Sequence, residues 1–468
     1  MRRIETDVAV IGAGTAGLAA YRAAAAAGRR ALLVESGPGG TTCARVGCMP
    51  SKLLIAAAEA AHGVARWQEF GLQLDGALRV DGGAVMARVR RERDRFVGFV
   101  LDSVEKIPVA DRLRGCARFS GAHALQVDGH TEVSFRTAVV ATGSSPAVPQ
   151  ALRGAGDRLV VNDDIFDWQD LPRSVAVFGP GVIGLELGQA LSRLGVRVRM
   201  FGVGGLVGPF ADPVLRRYAR DTMAREFPLD PDAKVESIRR TDRGVSIRFV
   251  DGGMIEEETF DYLVASTGRT PNLRGLGLET TGVPLDARGV PEFDRHTMRV
   301  AGSNIFIAGD ANNDLPLLHE AADEGRIAGE NAARFPEVRA ALRRTPLAVV
   351  FTEPQMAVVG MRYTELPAGR TVTGAVSFED QGRSRVMLRN RGLAHIYAET
   401  GSGRVLGAEL TGPDAEHLAH LLAWGIQSGM SVERMLEMPF YHPVVEEGLR
   451  TALRDAQAKL QAAGRKAA

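Results

Sequence analysis

The chain has 468 residues, 45% of them hydrophobic, so it can bury several cores and should form about three domains. Its 57 basic and 56 acidic residues give a net charge of +1, which argues against nucleic acid or an anionic membrane as a partner. The apolar run at 18–27 is short and contains Arg22, so we expect no membrane span and a cytoplasmic protein, in which three cysteines indicate chemistry rather than a structural disulfide framework.

The first predicted elements form a βαβ unit. An apolar strand is followed by GAGTAG at residues 12–17, an Ala-rich helix and a second strand. Gly12 permits the tight turn, Gly14 lets the backbone approach a pyrophosphate, and Gly17 lets helix and strand pack closely. Glu35 lies 18 residues beyond Gly17, where an acid can accept ribose hydroxyls. Together these features predict a dinucleotide-binding fold.

The segment GTTCARVGCMPSK at residues 40–52 follows this unit and contains Cys43 and Cys48, with four residues between them. Such a pair can be half of a metal site, a structural disulfide, or a redox pair that opens and closes during turnover. Lys52 ends the segment.

The βαβ pattern recurs around GPGVIG at residues 179–184, where Gly179, Gly181 and Gly184 occupy the same three positions. Two such folds predict two dinucleotides, or one dinucleotide and a flavin. The position that distinguishes NAD from NADP is Gly202, so neither the acid typical of NAD nor the basic cluster typical of NADP is present.

Arg197 and Arg199 on the preceding strand could reach a phosphate. Because no basic cluster follows in the loop, we expect NAD, with NADP not excluded.

The predicted strands and helices alternate up to about residue 345, and from Leu347 they change to an α+β layer. The arginine clusters Arg88–Arg95 and Arg339–Arg344 are interpreted as solvated helix faces. The predicted strands are Val8–Ile11, Ala31–Val34, Thr137–Val140, Ser174–Phe178, Val196–Phe201, Tyr262–Ser266, Ile305–Ala308, Thr371–Phe378, Gly392–Ala398 and Val405–Leu410, and the later predicted helices are Leu185–Leu194 and Glu416–Ser428.

Seven motifs in this order resemble the FAD-dependent pyridine nucleotide–disulfide oxidoreductases over essentially the whole chain, and within that family the dihydrolipoyl dehydrogenases most closely. They are GAGTAG at 12–17, the cysteine pair with MPSK at 43–52, ATG at 141–143, GPGVIGLE at 179–186, TGR at 267–269, GD at 309–310 and HPVVEE at 442–447.

The resemblance implies an α/β fold of two Rossmann-like dinucleotide-binding domains, one for FAD and one for NAD(P), plus a C-terminal α+β dimerisation domain. The expected divisions are residues 1–150 for the first part of the FAD domain, 151–272 for the NAD(P) domain, 273–345 for the central remainder of the FAD domain and 346–468 for the dimerisation domain.

The resemblance also decides between the interpretations of the cysteines. Zinc would need further Cys or His ligands at short spacing, and none follows. The matching pair in the family is redox-active: Cys43 exchanges with the substrate, and Cys48 lies against the flavin. A helix N-terminus and positive charge nearby would favour the reactive thiolates.

In the family, the lysine that matches Lys52 lies beside the flavin and pairs with the glutamate that matches Glu186. A buried ammonium group requires such a partner. Ile183 occupies the position that gates access of the nicotinamide, although helix packing explains it equally well.

Near the C-terminus the resemblance makes His442 a general base that takes a proton from a dithiol, oriented by Glu447, with Glu446 as the alternative orienter. The imidazole suits this role because it exchanges protons near neutral pH. In the family the pair comes from the other subunit, so a homodimer with a shared active site is implied.

The remaining motif residues have simpler alternatives. Asp310 would bond the ribityl chain of FAD, or would cap a helix. Thr142, Gly143 and Gly268 would lie near the cofactor, although turn geometry alone explains them. Cys116 is interpreted as a small buried hydrophobe.

The histidines His417 and His420 could bind a metal, but an interface or surface role is favoured, and no metal site is predicted. The implied activity is therefore oxidation of a dithiol, with protein-bound dihydrolipoyl as the expected substrate, through the redox disulfide and FAD to NAD. Its partner would be a lipoyl-bearing protein or a 2-oxo acid dehydrogenase complex.

The alternatives are reduction of a small disulfide such as glutathione disulfide, and an inactive scaffold or redox sensor. Mercuric reductases usually add a C-terminal cysteine pair, whereas the last cysteine here is Cys116. Ala44 and Arg45 stand where the family usually has Leu and Asn, Val444 stands where it has Thr, and Tyr441 replaces a small residue. These departures lie near the substrate channel, so the identity of the dithiol stays open.

Overall fold

The computed structural model describes the backbone of residues 2–467 and the side chains of residues 2–465. The chain divides into two compact units. The first contains residues 1–50, 89–147 and 268–343, and the second contains residues 51–88, 148–267 and 344–468. The four-part division predicted from the sequence stays a prediction.

The α-helices are α1 (Thr15–Ala26), α2 (Thr42–Val46), α3 (Cys48–Ala65), α4 (Gly82–Glu105), α5 (Asn162–Ile165), α6 (Val182–Arg193), α7 (Pro213–Met223), α8 (Leu318–Arg334), α9 (Gly382–Val386), α10 (Ala415–Gln427), α11 (Val432–Leu436) and α12 (Glu447–Ala467). Short 3-10 helices occupy Trp67–Phe70, Val109–Asp111, Gln150–Arg158, Leu278–Thr281, Gly309–Asn312 and Tyr363–Glu365. Among the described residues no helix has both the length and the apolar character that a bilayer crossing demands.

The strands are β1 (Arg2–Ile11), β2 (Ala31–Glu35), β3 (Arg112–Arg114), β4 (Ala117–Gly121), β5 (Ala124–Val127), β6 (Thr131–Val140), β7 (Ser144–Pro146), β8 (Leu159–Val161), β9 (Ser174–Phe178), β10 (Arg197–Phe201), β11 (Leu229–Asp230), β12 (Lys234–Thr241), β13 (Gly244–Asp251), β14 (Met254–Phe260), β15 (Tyr262–Ala265), β16 (Arg269–Pro271), β17 (Ile305–Ile307), β18 (Leu347–Val350), β19 (Gln355–Gly360), β20 (Thr371–Ser377), β21 (Leu393–Glu399) and β22 (Val405–Gly412).

The first unit is built on a seven-stranded sheet in the order β3-β2-β1-β6-β5-β4, with β17 also paired to β6. Its central strand β1 runs parallel to β2 and β6. The apolar run at its end alternates between two cores. Val8 and Val10 pack in one core with residues of α1 and α8, whereas Ala9 and Ile11 pack in the other. A strand buried on both faces explains why this run is continuously apolar.

The second unit contains a five-stranded parallel sheet in the order β11-β10-β9-β15-β8 and an antiparallel sheet of β12, β13 and β14. It also contains a five-stranded antiparallel sheet in the order β18-β19-β22-β21-β20. Buried residues of α10 and α12 share one hydrophobic core with this last sheet. These mixed α/β and α+β layers confirm the fold class predicted from the sequence.

Most predicted strands form within one or two residues of their expected bounds, but β1 and β6 extend further towards their N-termini. The helical interpretation of Arg339–Arg344 is wrong. This segment has no regular structure, and Arg343 is half-buried and forms ion pairs with the buried Glu320 and Glu324. The periodicity of a short charged run cannot reveal such partners, because they lie on the preceding helix α8.

Asp212 connects helix α7 to the antiparallel sheet within the second unit. Its Oδ1 accepts the Val214 N–H at 2.8 Å as the N-cap of α7. Its Oδ2 lies 2.7 Å from Nδ1 of His395 and accepts the Tyr397 hydroxyl at 3.0 Å. Burial raises the pKa of Asp212, but the hydrogen bond and charge of His395 outweigh burial, so the pKa of this carboxyl is lowered overall.

An acid whose pKa is lowered by folding stabilises the protein above its unfolded pKa, about 3.9 for aspartate, and this stabilisation is lost as the pH falls through the folded pKa. We expect Asp212→Asn to lower stability at pH 7 by about 1–3 kcal/mol, since asparagine keeps the helix cap but removes the charge. The gap between the thermal midpoints of variant and native protein should narrow below pH about 4. Asp221→Asn, on the exposed side of α7, is the control, and a gap independent of pH would contradict the role of the charge.

Candidate active site

The two glycine turns have the same close packing, each within its own unit. A Cβ on Gly17 would lie 1.8 Å from the carbonyl oxygen of Gly12, and one on Gly184 would lie 2.0 Å from that of Gly179. Gly12 and Gly179 have φ values of +104° and +105°, which favour glycine. The third glycine of each motif therefore lets a helix start directly on the turn.

In both turns the second glycine of the motif, unlike the first and third, has open space next to it. A Cβ on Gly14 or Gly181 would meet no atom within 4 Å. Each is the N-cap of its helix, α1 or α6, and neither cap is closed by a side chain. Helix N-terminal N–H groups next to open space form an anion site, as a dinucleotide pyrophosphate requires.

In the first unit this turn opens into a cavity of about 470 Å³. Gly12, Gly14, Glu35, Thr142 and Gly143 line it together. The buried Oγ1 of Thr142 has no hydrogen-bond partner among the described residues. An unsatisfied hydroxyl and an uncapped helix in one cavity fit a polar ligand with anionic groups, as FAD is.

Glu35 lies at the end of β2 and already binds the backbone on both oxygens. Its Oε2 accepts the Ala13 N–H at 2.6 Å, and its Oε1 accepts the Gly37 N–H at 2.6 Å. The carboxylate therefore fixes the turn on one side and the loop after β2 on the other. Each oxygen keeps a second lone pair that can accept a ribose hydroxyl.

Asp310 does not cap the short helix in which it lies, because the N-cap is Ala308. Its Oδ2 accepts the Ser144 hydroxyl at 2.6 Å, and Ser144 also accepts from Nε of Arg269 at 2.7 Å. Gly268 precedes Arg269, and its carbonyl accepts the Ala147 N–H at the edge of the β7–β16 pair. Ser144, which follows the motif at 141–143, thus meets Arg269 and Asp310 in one polar network of the first unit.

A buried acid, Glu324, binds the segment that contains Asp310. Glu324 on α8 accepts the Gly309 N–H at 2.8 Å and the Asn312 amide at 2.7 Å. Burial raises the pKa of Glu324, and the ion pair with Arg343 opposes that effect. Sequence reasoning missed both residues. They are oppositely charged residues 19 positions apart, and neither belongs to a recognisable motif.

In the second unit, Gly202 has no room for the acid expected at the position that distinguishes NAD from NADP. A Cβ there would lie 2.6 Å from the carbonyl oxygen of Pro231. Arg197 and Arg199, which could reach a phosphate, both pair with Glu258, at 2.5 and 2.8 Å. Each would have to leave this carboxylate to bind a 2′-phosphate.

The cysteines lie at the ends of two neighbouring helices. Cys43 is half-buried in α2, and Cys48 is exposed as the first residue of α3. A Cβ on Gly47, between them, would lie 3.0 Å from the Thr42 carbonyl oxygen and 3.3 Å from Cα of Cys43. The chain therefore turns tightly back on the first cysteine before α3 begins. A helix N-terminus favours a thiolate at Cys48.

Lys52 and Glu186 form an ion pair within the second unit. Nζ of Lys52 lies 3.0 and 2.8 Å from the two carboxylate oxygens and 4.5 Å from the centre of the Phe351 ring. Oε1 of Glu186 also accepts the Phe351 N–H at 2.9 Å. Ile183 is half-buried in the first turn of the same helix, α6. The ammonium group is thus held from two sides.

Nδ1 of His442 lies 3.0 Å from Oε2 of Glu447, while 80% of the histidine side chain is exposed. Arg450 donates to Oε1 of the same carboxylate at 2.8 Å. Burial raises the pKa of Glu447, but the Val444 N–H, His442 and Arg450 outweigh it and lower the pKa overall. Glu447, rather than Glu446, is therefore the acid that orients the imidazole.

The structure also places Cys116 and the two histidines of α10. Cys116 is exposed and lines the cavity of the first unit, so its interpretation as a buried hydrophobe is wrong. The Nδ1 of His420 contacts the Glu416 carbonyl oxygen on its own helix, and His417 is largely exposed. Within residues 2–465 no group of His, Cys, Asp or Glu side chains could hold a metal ion.

Residues 6–325 match the family of pyridine nucleotide–disulphide oxidoreductases, and residues 347–453 match the dimerisation domain of the same enzymes. The chain belongs to this family. It is therefore an FAD-dependent enzyme that uses a pyridine nucleotide, and the geometry of both glycine turns fits these cofactors. The match to the dimerisation domain supports a homodimer.

Relatives of this oxidoreductase carry different names. Dihydrolipoyl dehydrogenase 3 of Pseudomonas aeruginosa is 30% identical over 476 residues, covering 97% of this chain and 98% of that protein. Mercuric reductase of Acidithiobacillus ferrooxidans is 32% identical, covering 96% and 82%. LpdA of Mycobacterium tuberculosis has a similar structure, with a TM-score of 0.82, 26% identity and coverage of 97% and 99%. The HOCl-induced flavoprotein disulfide reductase RclA of Escherichia coli, at 21% identity and a TM-score of 0.81, shares the fold.

The two kinds of glycine in the first turn should respond differently to a methyl group. We expect Gly17→Ala to cost about 3–5 kcal/mol or to prevent folding, because its Cβ would overlap the Gly12 carbonyl. Gly14→Ala should fold with a nearly unchanged thermal midpoint but bind FAD at least about 10-fold more weakly, because its Cβ would enter the space open to the pyrophosphate. Thermal unfolding and flavin content of the purified variants check this. Equal flavin content in Gly14→Ala and native protein would contradict it.

Proposed function

We propose that this oxidoreductase is a dihydrolipoyl dehydrogenase, which oxidises a protein-bound dihydrolipoyl group and reduces NAD. The reaction converts one dithiol and NAD⁺ into one cyclic disulfide, NADH and a proton. The observation that carries the proposal is the exposed imidazole of His442, whose Nδ1 is engaged by an acid. Relatives named dihydrolipoyl dehydrogenase that align over nearly the full chain support the choice of substrate.

With Nδ1–H donated to Glu447, the other ring nitrogen, Nε2, carries the lone pair that can accept a proton. The lowered pKa of Glu447 keeps its carboxylate ionised, so the imidazolium that forms is stabilised. An exposed base suits a substrate that arrives on another macromolecule. In the homodimer we propose, His442 serves the site of the other subunit.

In the proposed exchange, Nε2 of His442 takes the proton of one substrate thiol. The resulting thiolate attacks Sγ of Cys43 in the Cys43–Cys48 disulfide, and Cys48 leaves as a thiolate. The second substrate thiol releases its proton to solvent, and its sulfur attacks the first one in the mixed disulfide, which releases the cyclic disulfide and the Cys43 thiolate. Two electrons thereby pass from the substrate to the cysteine pair.

FAD, when bound, supplies the two-electron chemistry that connects the reduced cysteine pair with the nicotinamide. Its proposed ligands in the first unit are the turn from Gly12 to Gly17, Glu35, Thr142, Gly143 and Asp310. We propose that Gly268 is placed beside these ligands.

In the second unit we propose the ion pair of Lys52 with Glu186 as the fixed cation beside the flavin. The carboxylate and the Phe351 ring hold the ammonium group, so its charge does not have to be oriented during turnover. Ile183 is the proposed gate for the nicotinamide, and Gly179, Gly181 and Gly184 form the proposed NAD pyrophosphate site.

The proposed nucleotide is NAD rather than NADP. Arg197 and Arg199 are occupied by Glu258, and Asp232 accepts the Gly204 N–H at 2.7 Å in the loop after β10. A 2′-phosphate near this loop would lie close to the carboxylate of Asp232, and both arginines on β10 already pair with Glu258.

We propose a lipoyl-bearing protein, alone or in a 2-oxo acid dehydrogenase complex, as the partner of this enzyme. We also propose a cytoplasmic location, where thiols can cycle.

A steady-state comparison of three reactions tests the function. We expect dihydrolipoamide with NAD to give kcat/KM at least about 100-fold above glutathione disulfide with NADPH and above Hg(II) with NADPH, since each alternative lacks both the dithiol and the preferred nucleotide. NADH should also exceed NADPH in the reverse reaction with lipoamide. Turnover of glutathione disulfide or Hg(II) alone would overturn the proposal.

A second experiment distinguishes the role of His442 as a base from the electron transfer between NADH and the flavin. His442→Gln should lower dihydrolipoamide oxidation by about 100-fold or more, because no other group takes the thiol proton. NADH oxidation by ferricyanide should largely persist, since it needs no substrate proton. Glu447→Gln should show a smaller loss of the same kind, and Glu446→Gln is the matched control. Equal loss of both reactions in His442→Gln would contradict the role of this residue as base.

A further inference from the structure

Arg45 lies on α2, between the two cysteines, and departs from the asparagine usual at this position in the family. It is half-buried, and it lines the cavity of the first unit together with Gly12 and Gly14. Its Nε is buried and has no hydrogen-bond partner among residues 2–465. No described carboxylate forms an ion pair with it. The buried Nε–H group therefore lacks an acceptor, which an anion bound in the cavity would supply.

Within the described residues, no carboxylate that lines the cavity forms an ion pair with Arg45. Glu35 is the acid among the residues that line it, and both of its oxygens are bound by the N–H groups of Ala13 and Gly37. The other cation in the lining, Arg274, is exposed. Two arginines and the open N-terminus of α1 therefore make this cavity electropositive.

Cys43 is a poor candidate for the missing partner within α2. Cys43 precedes Arg45 by two residues on the same helical turn, and side chains at this spacing do not face each other. The diphosphate of FAD is the anionic group that the family's cofactor brings into this cavity. A guanidinium group donates two parallel hydrogen bonds to phosphate oxygens, a geometry that an asparagine cannot supply.

We propose that Arg45 binds the diphosphate of FAD and is a positioning residue for this cofactor. The N-terminus of α1 binds the phosphates through backbone N–H groups, and Arg45 adds a side-chain cation. Because the same short helix contains Cys43, the phosphate contact also fixes α2 when the cofactor binds. Cofactor affinity and the placement of the first cysteine are thereby coupled.

The test measures binding of flavins to the full-length apoprotein by quenching of flavin fluorescence. For Arg45→Gln we expect the Kd of FAD to rise about 10- to 100-fold, the range for a charge-assisted contact to phosphate. Arg45→Lys should fall between this variant and the native protein, since it keeps the charge but loses the paired geometry. The Kd of riboflavin, which has no phosphate, should be the same in all three proteins.

Arg274→Gln, which removes a charge from the same cavity at an exposed position, is the matched control. We expect a smaller effect on FAD that disappears at high salt, whereas the effect of Arg45→Gln should persist. The contact is refuted if Arg45→Gln leaves the Kd of FAD unchanged, if it weakens riboflavin equally, or if the two arginine variants behave alike at every salt concentration. Circular dichroism verifies that each variant is folded, and Arg45→Lys decides the matter if Arg45→Gln does not fold.

Discussion

The contact between the third glycine and the carbonyl oxygen of the first is the constraint on which both nucleotide sites depend. With a Cβ position 1.8 Å from that oxygen in one unit and 2.0 Å in the other, only glycine allows the helix to begin directly above the strand. The helix N-terminus is thereby brought to the end of the parallel sheet. The middle glycine then faces open space, so each site combines tight packing with room for phosphates.

Around the first glycine turn, hydrogen bonds between polar groups order the segments that are not held by close packing. Ser144 connects Asp310 to Arg269, and Glu324 holds the backbone that carries Asp310. Glu324 is fully buried and depends on Arg343, which lies in an irregular segment. A buried carboxylate of this kind is stable only with several donors, so the network orders the loop that presents Asp310.

The proposed functional groups of the second unit are also held in place by ion pairs. Each charged group of the proposed site is held by a second residue: Lys52 by Glu186, and His442 by Glu447, which Arg450 holds in turn. Preorganised pairs avoid reorientation during a reaction. The cysteines stand in the first unit on two helices separated by Gly47, whose lack of a side chain allows the tight return. The proposed function thus rests on small residues for placement and on paired charges for reactivity.

The sequence by itself determined the elements that carry a local signal: the apolar strands, the spacing of both glycine turns, and the cysteine, Lys52 and His442 motifs. Turn geometry and periodicity depend on neighbours in the chain, and these are visible in the sequence. Only the tertiary structure decided which distant groups meet. It paired Arg343 with Glu324 and Arg197 and Arg199 with Glu258. It also moved Cys116 from a supposed core to a cavity wall, and left Nε of Arg45 without a hydrogen-bond partner among the described residues. Such pairings depend on three-dimensional distance and burial, which no spacing along a single chain encodes.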